Sequence, residues 1–217
     1  MPKNSGSDLL ENALAAVAKG AAKTGAPWMV IGGIAIVARG VKRFTTDIDI
    51  AVAGDAIPIE ALAIALADSE IVARIDDAVS FARQNLVLLL RHEPTGVDVD
   101  VSLAWSAFER DALASSTLTP FGRVRVPMAS VEDLVVFKAI AGRPKDRDDL
   151  DSLLDLYPDI DLDRATRRVR ELADLAGAPE LASDFETIAA RARSRSKPIA
   201  RPKKPRPKAS PGKKRPR

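Results

Sequence analysis

Two aspartates in the run Asp47-Ile48-Asp49-Ile50-Ala51-Val52 alternate with apolar residues, and a Gly32-Gly33 pair stands upstream of them. In an extended strand successive side chains point to opposite faces, so both carboxylates share one face and Ile48, Ile50 and Val52 take the other. Downstream, Val97-Asp98-Val99-Asp100-Val101 repeats the alternation, giving a second pair of carboxylates on one face. Clustered carboxylates hold hard cations such as Mg²⁺ or Mn²⁺, and a glycine turn that ends a strand and opens a helix lets a phosphate approach the backbone closely. Phosphoryl and nucleotidyl transfer need that combination, with two metal ions sharing bridging carboxylates from Asp47, Asp49 and a third acid on a neighbouring strand. Parity alone leaves Asp98 and Asp100 equal as the third ligand.

Other residues carry weaker signals. Arg39, Lys42 and Arg43 precede Asp47, where they either balance the aspartates or contact triphosphate oxygens. Lys138 lies among Val135, Val136, Phe137, Ala139 and Ile140, so its ammonium either snorkels to water or meets an anion. The acids from Asp146 to Asp151 complement a helix N-terminus, and Asp148 and Asp151 read as solvated. His92 reads as a turn residue, and Trp28 and Trp105 as core anchors.

Composition removes several alternatives. The 217 residues include no Cys and one His, which excludes disulfides, thiolate zinc sites, cysteine nucleophiles and multi-histidine metal sites. The longest uncharged apolar stretch, Pro27 to Ala38, is much shorter than the ~20 residues that cross a bilayer. The N-terminus does not read as a secretory signal, and the cytoplasm is the expected compartment.

The elements that must position these residues read as a mixed α+β fold. An amphipathic helix from Ser7, ending near Gly20 or Gly25, is expected to lie against the first strand, Trp28 to Ile31. A short helix over 34–39 closes at Gly40, the Asp47 strand follows, and Pro58 to Ala67 forms another helix. Runs 86–90 and 97–103, separated by His92-Glu93-Pro94-Thr95-Gly96, predict an antiparallel hairpin, and 123–127 an edge strand. A helix from Ser130 carries Lys138, another begins near Asp146, and two more span 161–176 and 178–193. The expected organisation is a core over 1–127, a helical region packed on it over 128–193, and a tail over 194–217.

That tail changes the meaning of the net charge of +3. Residues 191–217 hold 13 Lys/Arg and no acid, so residues 1–190, with 20 basic and 30 acidic residues, carry −10. The tail, rich in Lys, Arg and Pro, has too little apolar surface to fold and is expected to be disordered. Its mean reach would be about 30 Å, enough to hold a nucleic acid near a site without reading its sequence. A solubilising extension is the plainer alternative.

Gly32-Gly33, then Arg39 and Arg43, then Thr46-Asp47-Ile48-Asp49, resembles the signature of the DNA polymerase beta-like nucleotidyltransferase superfamily. The block from Arg91 to Asp100 and the block from Lys138 to Asp149 are similar to later blocks of bacterial AbiEii-type toxin nucleotidyltransferases, and together these cover roughly residues 25–190. The resemblance implies a minimal nucleotidyltransferase sheet of mixed strands flanked by helices, followed by a C-terminal helical bundle. It implies NTP as donor, an RNA (tRNA) or other acceptor, and a cognate antitoxin as partner. Asp47, Asp49 and Asp100 become metal ligands, with Lys138 and Asp146 near the triphosphate or positioning reacting groups, and Gly32, Gly33, Arg39, Arg43 and Lys138 NTP-binding. Many members have Ser after the first Gly, where this chain has Gly33. Nucleotidylation of a small molecule or a protein is the alternative, as is a noncatalytic relative that binds nucleotide or nucleic acid.

Overall fold

The computed structural model describes residues 6–196. Seven strands, β1 (Trp28–Ile31), β2 (Asp47–Ala53), β3 (Ile71–Ala73), β4 (Val87–His92), β5 (Val97–Ala104), β6 (Thr117–Phe121) and β7 (Val124–Met128), form one mixed sheet in the order β3-β4-β5-β2-β1-β7-β6. Nine helices accompany them among the described residues: α1 (Gly6–Thr24), α2 (Gly32–Ala38), α3 (Ile59–Ala67), α4 (Ala78–Asn85), α5 (Ala107–Ser115), α6 (Val131–Ala141), α7 (Pro144–Leu156), α8 (Leu162–Ala176) and α9 (Pro179–Ser196). The α+β class and the succession of mixed sheet and C-terminal helices agree with the sequence reading. No helix among the described residues is long and apolar enough to cross a membrane.

The centre of the sheet is set by the most apolar strands. β1 runs antiparallel to β2, and β2 runs parallel to β5. Ile48, Ile50, Val99 and Val101 are completely buried, as the alternating pattern requires of their face. β4 and β5 form the expected antiparallel hairpin. Its first strand reaches His92, which is buried and hydrogen-bonded through Nδ1 to Thr95 Oγ1 at 2.8 Å, so this histidine ends a strand instead of sitting in the turn. Burial disfavours the imidazolium and holds its pKa below the usual value.

Several other expectations are corrected. The strand predicted at the sheet edge, β7, lies inside it, between β1 and β6. The edge is β6, whose Pro120 disguises it as a loop, although an edge strand tolerates a missing N–H. α1 packs chiefly on α3 rather than on β1. It continues through Gly20, where a Cβ would come within 3.0 Å of Leu66 Cδ2, so this glycine permits close helix contact instead of ending the helix. Trp105 is 56% exposed, because it follows β5 directly where the chain turns into the Ser106 cap of α5. α9 continues to Ser196, and the tail beyond it lies outside the described residues.

Candidate active site

Strand register gathers the acids. In the parallel pair β2–β5, Asp47 stands opposite Asp98 and Asp49 opposite Asp100, and on the other side of β2 Asp49 stands opposite Ile31, the last residue of β1. Gly32 follows immediately, with φ of +62°, a left-handed conformation that glycine adopts without steric cost. A Cβ there would lie 1.9 Å from Asp49 Oδ2, so the turn and the carboxylate are in direct apposition. The Gly33 N–H points to Asp49 Oδ2 at 3.4 Å.

Thr45 closes the other side of the turn. Its hydroxyl donates to Asp47 Oδ1 at 3.0 Å, and a Cβ on Gly33 would lie 2.3 Å from that same Oγ1. The hydroxyl absent from position 33 is thus replaced in space by one carried on the loop that enters β2. Sequence reading passed over Thr45 because its relation to Gly33 is made only by the fold.

The four acids differ in their compensation. Arg91 Nε donates to Asp98 Oδ1 at 2.7 Å from the neighbouring strand β4. Arg74 Nη1 stands 2.7 Å from Asp100 Oδ1 and 3.6 Å from Asp98 Oδ2. Burial first, then the negative charge of Asp47, raises the Asp49 pKa; the Gly33 N–H partly offsets them, and Asp100 adds to the rise. An acid so placed favours a cation beside it. All-oxygen carboxylate donors fit a hard divalent ion, and the buried Asp100 Oδ1 has no well-formed hydrogen bond of its own. As they stand, however, no three acids among the described residues are gathered into a ready metal cage. Arg74 occupies the Asp100 side.

The other expected residues meet in a second cluster. Lys138, on α6, is buried and meets anions, which settles the two readings of its ammonium: Nζ lies 2.8 Å from Asp146 Oδ1 and 3.0 Å from Asp149 Oδ2. Asp146 sits in the first turn of α7, where Arg143 Nε donates to its Oδ2 at 2.6 Å. Burial pushes the Asp146 carboxyl upward, but hydrogen bonds from Arg143 and Lys138 outweigh it, and the pKa falls below the ordinary value. Arg43 extends the cluster, with Nη1 2.5 Å from Asp149 Oδ2. The guanidinium of Arg143 is held charged first by its hydrogen bond to Asp146 and further by the field of Asp49 and Asp47. Asp148 is exposed, and the partly buried Asp151 pairs with Arg195.

Arg39 is tied elsewhere: its Nη2 donates to the Ala129 carbonyl at 2.6 Å, and its own carbonyl accepts from Tyr157 Oη at 2.8 Å. The fold therefore brings Gly32, Gly33, Asp47, Asp49 and Asp100 together, and joins Lys138, Asp146 and Arg43 in the adjoining cluster. Asp149, Arg143 and Arg74 were missed as partners. Asp149 looked like one more acid in a helix's first turns, and Arg74 stands in sequence far from any recognisable block.

A glycine turn set against an acid ladder is the arrangement that nucleotidyl transfer needs, and the class itself is given by the sequence comparison. Residues 10–183 match the model of the family described as nucleotidyl transferase of unknown function (DUF2204), and the chain belongs to that family. It is a nucleotidyltransferase. No curated protein matches it in sequence. Among solved structures it is similar to the solution structure of the antibiotic-resistance factor ANT(2″)-Ia, at 19% identity over 87% of this chain and 91% of that one, with a TM-score of 0.44. The crystal structure of ANT(2″)-Ia with adenylyl-2″-tobramycin gives 20% identity, 87% and 97% coverage, and a TM-score of 0.42. An antigenic nucleotidyltransferase-like protein from Paracoccidioides brasiliensis gives 16% identity, 82% and 91% coverage, and a TM-score of 0.48.

Proposed function

We propose that this nucleotidyltransferase moves a nucleoside monophosphate from an NTP to an RNA acceptor, with tRNA the first candidate, in a Mg²⁺-dependent reaction. In this reading it acts as the toxin of a toxin–antitoxin pair of the AbiEii type. The observation that carries the chemical part is the register of Asp49 with Asp100 beside the Gly32-Gly33 turn. Asp47, Asp49 and Asp100 would hold the cation, Mg²⁺ or Mn²⁺. When bound, such an ion neutralises charge on the leaving pyrophosphate and favours ionisation of the attacking hydroxyl.

The chain's own residues supply the rest. The Gly32-Gly33 turn lies directly against Asp49 and Thr45, so a triphosphate held by the cation would border its backbone. Lys138 and Asp146, through Asp149 and Arg43, hold the loop that delivers Asp47 and Asp49, while Arg39 fixes the start of that loop. Arg143, held by Asp146 on the first turn of α7, supplies a further cation within the field of the carboxylates, where an anionic substrate needs one. The acceptor assignment rests on charge: a body of −10 repels a polyanion, and the 13 cations of residues 191–217 attract one.

Incubation with labelled NTPs, Mg²⁺ and total RNA tests the reading. Label should enter RNA with the intact protein and be lost with Asp47→Ala or Asp49→Ala. Label in a protein or a small molecule would replace the acceptor, and nucleotide binding indifferent to Mg²⁺ without transfer would identify a noncatalytic relative. The toxin role predicts growth arrest on expression, relieved by a cognate antitoxin and absent with Asp49→Ala.

A further inference from the structure

Four carboxylates on one face of two adjacent strands repel one another, and each must be compensated for the nucleotide-free protein to fold. The compensation is uneven. Asp98 receives Arg91 at 2.7 Å and, more distantly, Arg74 at 3.6 Å. Asp47 accepts from Thr45, and Asp49 accepts a long contact from the Gly33 N–H, with the charge of Lys138 also acting on it. Asp100 depends on Arg74, whose Nη1 comes within 2.7 Å of Oδ1.

That contact is close but poorly directed. Asp100 Oδ1 is buried without a well-formed hydrogen bond, while Arg74 Nη1 aims its own hydrogen bond at the Leu90 carbonyl, at 3.3 Å. The guanidinium is held from behind by β4 and acts on Asp100 through charge. It does not grip the carboxylate with the bidentate fork geometry that makes arginine–carboxylate pairs strong and specific. It lies beside the ladder, with 20% of its side chain exposed against 32% for Asp100. A divalent ion bound at Asp100 would stand beside this positive charge.

We propose that Arg74 is the resident counter-cation of Asp100, standing where a divalent ion would act, so that the site takes the ion readily only together with a nucleotide. Arg74 is thereby a positioning residue that determines specificity for the cation–nucleotide complex over the free cation. The polyphosphate adds ligands and negative charge that outweigh the repulsion from the guanidinium; the free ion must displace it unaided. The proposal rests on the reading of Asp47, Asp49 and Asp100 as ligands.

The test is binding of Mn²⁺ alone to the full chain, followed by electron paramagnetic resonance without nucleotide, alongside thermal unfolding with and without Mn²⁺. Arg74→Gln should bind free Mn²⁺ about tenfold more tightly than the unaltered protein. It should melt lower without the ion and recover when Mn²⁺ is added, a rescue that loss of a purely structural contact does not produce. Arg74→Lys keeps the charge and should keep the weak affinity, which makes it the control if Arg74→Gln folds only with metal. Arg74→Gln/Asp100→Asn should lose the gain. Unchanged or weaker Mn²⁺ binding by Arg74→Gln overturns the proposal. A gain that survives Asp47→Asn and Asp49→Asn instead overturns the ligand assignment beneath it, so the two failures are distinguishable.

Discussion

The two charged clusters of this protein sit side by side and are built in opposite ways. In the ladder of β2 and β5 four acids face one another, all partly exposed, and Asp49 is pushed toward its neutral form by burial and by its neighbours. Where α6 meets α7, Lys138, Asp146 and Asp149 are buried, each charge has an opposite charge within 3.0 Å, and Asp146 is held in its ionised form. The first cluster is open and unevenly compensated: Asp98 and Asp100 have arginine partners, while Asp47 and Asp49 have no ion pair among the described residues. The second is saturated and closed, and through Arg43 it fixes the loop leading into the first. Both clusters contain acids; what differs is the balance of charge around each acid, and under the proposed function that balance separates a binding site from a brace.

The sharpest way to break this comparison is to remove one acid from each side. Asp49→Asn should lower nucleotide transfer by about 10³-fold, a loss of about 4 kcal/mol of transition-state stabilisation, which steady-state kinetics would read. Chemical denaturation should find it no less stable than the unaltered protein, because a repelled, partly buried charge has gone. Asp146→Ala should do the reverse to stability, costing about 3–5 kcal/mol by leaving the buried Lys138 and Asp149 cluster unbalanced. If Asp49→Asn unfolds the chain while Asp146→Ala leaves its stability intact, the contrast between site and brace is wrong.

How far the sequence reveals this arrangement depends on the range of each interaction. The Asp47–Asp49 and Asp98–Asp100 alternations place their carboxylates by local geometry, and β1, β2 and the β4–β5 hairpin were legible for the same reason. Pairing β2 with β5 in register is a long-range event, which is why Asp98 and Asp100 could not be ranked by parity. The partners of the two acids also come from elsewhere in the chain: Arg91 across the hairpin for Asp98, and Arg74 beyond β3 for Asp100 and, more distantly, for Asp98. β3 and β6 were missed because one has three residues and the other contains Pro120. Thr45 and Asp149 carry no local pattern that sets them apart, and only the folded loop shows what they touch.

A smaller effect sharpens the link between turn and ladder. Gly32→Ala forces a side chain into a left-handed backbone and toward Asp49 Oδ2, 1.9 Å from the new Cβ. The backbone term alone is roughly 1–2 kcal/mol, and Asp49 must move as well. Transfer should therefore fall further than stability, seen as a drop in kcat/KM larger than the shift in the denaturation midpoint accounts for. Gly40→Ala is the comparison: it also has a positive φ, but its Cβ would meet only Leu156 Cδ1 at 4.0 Å, and the variant should lose stability without that excess loss of transfer.

The smallest expected effect is on the pH dependence of stability, where the two clusters carry opposite signs. Asp146 has a folded pKa below its unfolded value, so the folded state binds fewer protons in the acid range. Its contribution is present above the unfolded carboxyl value and is lost as pH falls through the folded one. Asp49 has a folded pKa above its unfolded value, so its charge destabilises the fold progressively as pH rises through that interval. Asp146→Asn should flatten the acid limb of a plot of unfolding free energy against pH. Asp49→Asn should steepen the rise of stability with pH just above the ordinary carboxyl range, because a term that falls with pH has been removed. Urea titrations at a series of pH values would read both, and slopes that change in the same direction would contradict the assignment of one cluster as brace and the other as site.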